Sequence, residues 1–140
     1  LNKGNLKFDD VTKAAMIPQD SAWNTGVSVV DINNDGLLDI YICRLGNFEK
    51  FKNKNQLLVC QSIQNGVPVY KDEAANYGLD FSGFSTQASF FDYDLDGDLD
   101  VFLLNHSVHQ MAHSLQEIVS WVLMIHCLEI EYSKMKMDIM

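Results

Sequence analysis

The sequence predicts an all-β protein, a partial β-propeller of about two four-stranded blades followed by a helical tail. Three observations predict it. A nine-residue acidic loop occurs twice, at residues 31–39 and 92–100, with a spacing of 92 − 31 = 61 residues. Short β-branched and aromatic runs flank both loops. Two further strand-like runs separate the copies, which makes about four strands per unit. A fixed period of this size marks a repeat architecture. Four antiparallel strands per repeat is the composition of a propeller blade.

Taken in order, the first strand covers residues 25–30, where Thr25-Gly-Val-Ser-Val-Val30 leads into the first loop. The second covers 39–44 and contains Ile40-Tyr-Ile-Cys43. The third, 56–61, lies within Asn55-Gln-Leu-Leu-Val-Cys60 and its neighbour, and the fourth, 67–73, begins Val67-Pro-Val-Tyr70. Runs of this length and composition, bounded by turn residues, form strands. The second copy supplies Ala88-Ser-Phe-Phe91 before its loop and Val101-Phe-Leu-Leu104 after it. Similarity extends upstream: Phe8-Asp-Asp-Val-Thr-Lys-Ala-Ala15 lies over Tyr70-Lys-Asp-Glu-Ala-Ala-Asn-Tyr77 at an offset of 62. The repeat units therefore run over about 8–69 and 70–110.

Both loops follow D-x-[DN]-x-D-G-x-x-D. Side-chain oxygens at loop positions 1, 3, 5 and 9 suit a hard cation, since Ca²⁺ takes six to eight oxygens. The expected ligands of the first loop are Asp31, Asn33, Asp35, the Leu37 carbonyl and Asp39. Those of the second are Asp92, Asp94, Asp96, the Asp98 carbonyl and Asp100. An EF-hand would need an acid at position 12 and flanking helices. Ile42 and Leu103 stand there instead, between strands. A metal-free acidic hairpin turn is the plain alternative, and paired carboxylates for acid–base catalysis another. Matched ligand positions in two copies favour the metal. Clustered loop acids of one kind show none of the contrasting environments that acid–base work needs.

These stretches resemble the FG-GAP/VCBS repeat proteins with integrin-like β-propellers, and most closely the bacterial proteins that end in an ASPIC/UnbV domain. The residues that carry the resemblance run Trp23 to Gly46 through the first loop, Asn55 to Gln61, Tyr70 to His109 through the second loop, and the opening Leu1 to Thr12. It covers about residues 1–110 and implies Ca²⁺ held in the loops, a binding or adhesion scaffold, and an extracellular, periplasmic or cell-surface location. The partner it implies is a protein or glycan. Millimolar extracellular calcium suits weak modular sites. The resemblance also places Leu1-Asn2-Lys3-Gly4 at the end of a strand. Propellers close with four to eight blades, so two units read as a fragment, with the other blades missing.

Net charge is −9, and the two loops hold 3 + 5 = 8 of the 19 acids. No basic patch is present, which argues against nucleic acid. No G-x-S-x-G, H-E-x-x-H or P-loop phrase occurs, so an enzyme is not expected. A scaffold domain of a larger secreted enzyme and an inactive gene fragment stay open as alternatives. Cys43 and Cys60 fall in strands, and an odd count of three fits no closed disulfide framework. Two buried free thiols are expected. The loops at Arg44–Phe48 and Asp80–Phe84 are candidates for recognition or, by their aromatics, for core.

After about Gln110 the character changes. Residues 111–130 lack turn residues and loops, and the apolar stretch Ile118–Ile130 is too short to span a bilayer. The tail is expected to be helical and non-native. In a shifted codon frame it permits a phrase like the third strand of a further blade, which points to a frameshift. His106, His109 and His113 superficially resemble a zinc site. A capping or surface role for His106 is the expectation.

Overall fold

The computed structural model describes residues 1–46, 53–106 and 126–130. These residues are all-β, with no helix among them. Strands β1 (Asn2–Gly4) and β2 (Lys7–Phe8) form a small hairpin. Strands β3 (Asn24–Val30), β4 (Asp39–Arg44), β5 (Gln56–Gln64) and β6 (Val67–Asp72) follow as one antiparallel sheet in sequence order. Strands β7 (Ser85–Phe91) and β8 (Leu99–Asn105) open a second antiparallel sheet. Strand β9 (His126–Ile130) completes it by pairing with β8. No sheet closes on itself.

β9 corrects part of the sequence reading. Residues 126–130 lie in the tail expected to be helical, and they form a strand on β8 as β5 does on β4. An apolar run without turn residues does not separate helix from strand by periodicity. The rest of the tail lies outside the described residues. No helix among those described is long and apolar enough to cross a membrane.

Local chemistry explains the hairpins. Asn65 and Gly66 between β5 and β6 take φ of 52° and 78°. Two successive positive φ angles make the turn whose twist matches antiparallel strands. Strand β5 is buried on both faces from Gln56 to Cys60, so its apolar run is nearly continuous rather than alternating.

The core lies between the two large sheets. Tyr41, Cys43, Leu57 and Val59 of the first meet Ala88, Val101 and Leu103 of the second. Tyr41 and Phe90 pack edge to face, with ring centroids 5.6 Å apart. The turn that follows β6 is wedged beside them and contributes Ala74 and Leu79. It is built by Ala74 N–H on Asp72 Oδ1 and Leu79 N–H on Ala74 O. The segment after β2 makes the same bonds with Thr12, Asp10 and Ile17.

Strands β3 and β7 run side by side at very short range. Thr25 Oγ1 donates to Ser85 O, and Ser28 Oγ donates to Ala88 O. Gly26 makes this approach possible. A Cβ there would stand far inside contact distance of the Thr86 carbonyl oxygen and 3.1 Å from Gln87 Cα.

Candidate metal centre

The two acidic loops join β3 to β4 and β7 to β8, and they are folded by the same hydrogen bonds. Gly36 N–H donates to Asp31 Oδ2 at 2.9 Å, and Gly97 N–H to Asp92 Oδ2 at 3.1 Å. Asp35 N–H meets Asn33 Oδ1 at 3.2 Å, and Asp96 N–H meets Asp94 Oδ1 at 3.1 Å. Leu37 N–H donates to Asp35 Oδ1, and Asp98 N–H to Asp96 Oδ1. Short carboxylate and amide side chains bond backbone N–H groups two residues on, which is why Asp and Asn fold such turns. Positions 4 and 6 take positive φ in both copies: 54° at Asn34, 83° at Gly36, 64° at Leu95 and 97° at Gly97. Nothing lies within 4 Å of a Cβ built on Gly36 or Gly97, so glycine is required there by backbone angle and not by space.

The last acid of each loop is a strut. Asp39 Oδ2 accepts from Ile32 N–H at 2.9 Å, and Asp100 Oδ2 accepts from Tyr93 N–H at 2.7 Å. Asp39 also takes the Cys60 N–H of β5 on Oδ1 at 2.7 Å. Its side chain is fully buried. That burial raises its pKa above the ordinary carboxylate value, and the Asp35 and Asp31 charges add to the rise. The Cys60 and Ile32 N–H groups oppose it.

In the second loop, oxygens of Asp92, Asp94 and Asp100 lie within 4.8 Å of one another. Asp92 Oδ1 is buried and has no hydrogen-bond partner among the described residues. A buried carboxylate oxygen left without a donor calls for explanation by an ion or water. Three converging carboxylates with one orphaned oxygen fit a hard, oxygen-seeking cation. Asp96 and Asp98 are not in this group. In the first loop the counterpart of Asp94 is Asn33, whose Nδ2 donates to Asp35 Oδ2 at 2.9 Å. Its carboxylates number three, Asp31, Asp35 and Asp39, against five in the second loop.

Other expected residues fall elsewhere. Cys43 and Cys60 are buried free thiols. Burial pushes the Cys43 thiol up to about 12. His106 N–H donates to Phe84 O, while His109 and His113 lie outside the described residues. In the two candidate recognition loops, Arg44 is buried and pairs with Asp20 at 3.0 Å, and Phe81 packs against the core. Phe48 lies outside the described residues.

A polar knot between the sheets carries no sequence signal. Asn55 Oδ1 accepts from Arg44 N–H, and its Nδ2 donates to Tyr41 Oη and Ser85 Oγ, both at 2.9 Å. Tyr41 Oη donates in turn to Leu79 O, and Ser85 Oγ to Asn105 Oδ1. Its members lie up to 64 residues apart (105 − 41), so no local pattern announces it. Beside it opens a polar cleft of about 480 Å³, lined in part by Arg44, Lys54, Gln56 and Asp72.

No protein-family model matches the chain, and no curated protein matches it.

Proposed function

We propose that the chain is a calcium-binding portion of a β-propeller and serves as a binding or adhesion scaffold outside the cell, with the metal in a structural role. The orphaned Asp92 Oδ1 among converging carboxylates carries this reading. The matched hydrogen bonds of the two loops and the four-stranded antiparallel sheet support it. Asp92, Asp94 and Asp100 would hold the ion in the second loop, with Asp96 and the Asp98 carbonyl as further donors. Asp31, Asn33, Asp35, the Leu37 carbonyl and Asp39 would do so in the first. The ion cancels carboxylate repulsion in a turn that its own hydrogen bonds already fold. The partner is a protein or glycan, and no catalysis is assigned to this chain.

Calorimetric titration of the chelated protein with CaCl₂, paired with melting in CaCl₂ and in EDTA, tests the metal. Heat of binding at two sites and a higher melting temperature in calcium are expected. No heat and superimposable melts would overturn the reading.

A further inference from the structure

We infer that the β3 and β4 part of the outer face of the first large sheet receives the outer face of the second sheet from another copy of this chain. Within one chain the two sheets meet through unlike faces. The first sheet gives the face that carries Tyr41 and Cys43, and the second receives it on Ala88, Val101 and Leu103. Ala88, Val101 and Leu103 are 1–2% exposed.

Shifted by the 61-residue spacing, these receiving residues correspond to Val27, Ile40 and Ile42 of the first sheet. Cross-strand register puts Val27 opposite Ile42 and Val29 opposite Ile40, all on the face turned away from the core. There Val27 is 55% and Val29 59% exposed. The giving face has a counterpart too. Tyr41 and Cys43 correspond to Phe102 and Leu104, and Leu104 is 39% exposed. Among the described residues, each sheet therefore leaves partly exposed the half of the interface that the other sheet uses inside the molecule.

The occupant follows from that correspondence. The internal interface shows an aromatic residue and a small apolar one, Tyr41 and Cys43, seated on this kind of face. The second sheet of another copy presents Phe102 and Leu104 there. The turn beside the interface also corresponds: Tyr41 Oη bonds Leu79 O, and at the open face Ile17 stands for Leu79 while Phe102 offers no hydroxyl. The Phe102–Ile17 part of that junction therefore lacks this hydrogen bond. Because the two faces differ, the contact is head to tail, and it builds rings if the rotation closes and filaments if it does not. The argument does not depend on metal.

Sedimentation velocity of the full chain in calcium, across a concentration series, tests this. The mean mass is expected to rise with concentration beyond one chain. Val29→Glu and Leu104→Glu should each give monomers, and an equimolar mixture of the two should give one-to-one pairs, because each variant retains the face the other has lost. Val27→Glu serves in place of Val29→Glu should that variant fail to keep the wild-type circular dichroism. A monomeric wild type would overturn the inference, as would variants that assemble like wild type or a mixture that stays monomeric. Calcium titration of the monomeric variants separates this result from the metal reading, since both loops are unaltered.

Discussion

Asp92→Asn should stabilise the protein without calcium and weaken its response to calcium. Asp92 takes part in two of the three pairs among Asp92, Asp94 and Asp100, whose oxygens all lie within 4.8 Å of one another. Two unit charges about 4 Å apart repel by about 1 kcal/mol under water-like screening, and by more in a less polar setting. Neutralising Asp92 therefore removes about 2 kcal/mol of repulsion. The amide keeps one oxygen to accept the Gly97 N–H now held by Oδ2. Its Nδ2 takes the place of the orphaned Oδ1 and can donate to Asp94 or Asp100. A net hydrogen bond adds about 1 kcal/mol. In calcium the gap closes: at a free concentration of 100 Kd, a site that binds only the folded state contributes about 2.7 kcal/mol. The variant loses the second loop's share and keeps the first's. Urea unfolding in EDTA and in CaCl₂, on both proteins, measures all four stabilities. A variant less stable than wild type in EDTA, with an undiminished calcium increment, would refute the reasoning.

Three further outcomes are expected. Gly26→Ala should cost about 3 kcal/mol in urea unfolding, the top of the usual range of about 1–3 kcal/mol for overpacking, because the new methyl meets the rigid Thr86 carbonyl, while Gly36→Ala, with open space around it, should cost about 1 kcal/mol for its positive φ alone. Equal costs would show that β3 and β7 do not approach as described. Asp35→Ala leaves the second loop and Asp96→Ala the first, so calorimetry should find tighter residual calcium binding in Asp35→Ala; equal affinities would defeat the charge-count argument. Cys43 should resist iodoacetamide in the folded protein and react once denatured, since its buried thiol is held protonated up to about pH 12; peptide mapping that finds it alkylated in the native state would contradict its burial.

Strands were legible where side-chain chemistry is local. The expected runs 25–30, 39–44, 56–61 and 67–73 became Asn24–Val30, Asp39–Arg44, Gln56–Gln64 and Val67–Asp72. The one sizeable error, the end of β5, falls at a register shift between Cys60 and Ser62, beyond which polar residues continue the ladder to the Asn65-Gly66 turn. The hairpin of β1 and β2 was half visible, because its short exposed strands carry no alternating pattern. Gly26 reads as a weak spot in a strand, and only the neighbouring β7, 60 residues on, shows why it is needed. Asn55 looks like an ordinary turn residue until Tyr41, Arg44 and Ser85 converge on it. Contacts of that span leave no trace in a window of a dozen residues.

The loops show the same division. Their oxygens were expected as ligands, yet most of them already accept a backbone N–H. The turn is thus folded by its own backbone, and a cation need not organise it. For the proposed metal this leaves relief of charge rather than ordering of the loop, and it makes the two loops a paired test. They share positive φ at positions 4 and 6 and most of their internal bonds, but differ at position 3, Asn33 against Asp94, and at the first acid, where Asp31 Oδ1 accepts the Asp35 N–H while Asp92 Oδ1 accepts none. If calcium acted by ordering the turn, both loops would bind alike. If it acts on charge, affinity follows the carboxylate count, and the loop with the orphaned oxygen binds first.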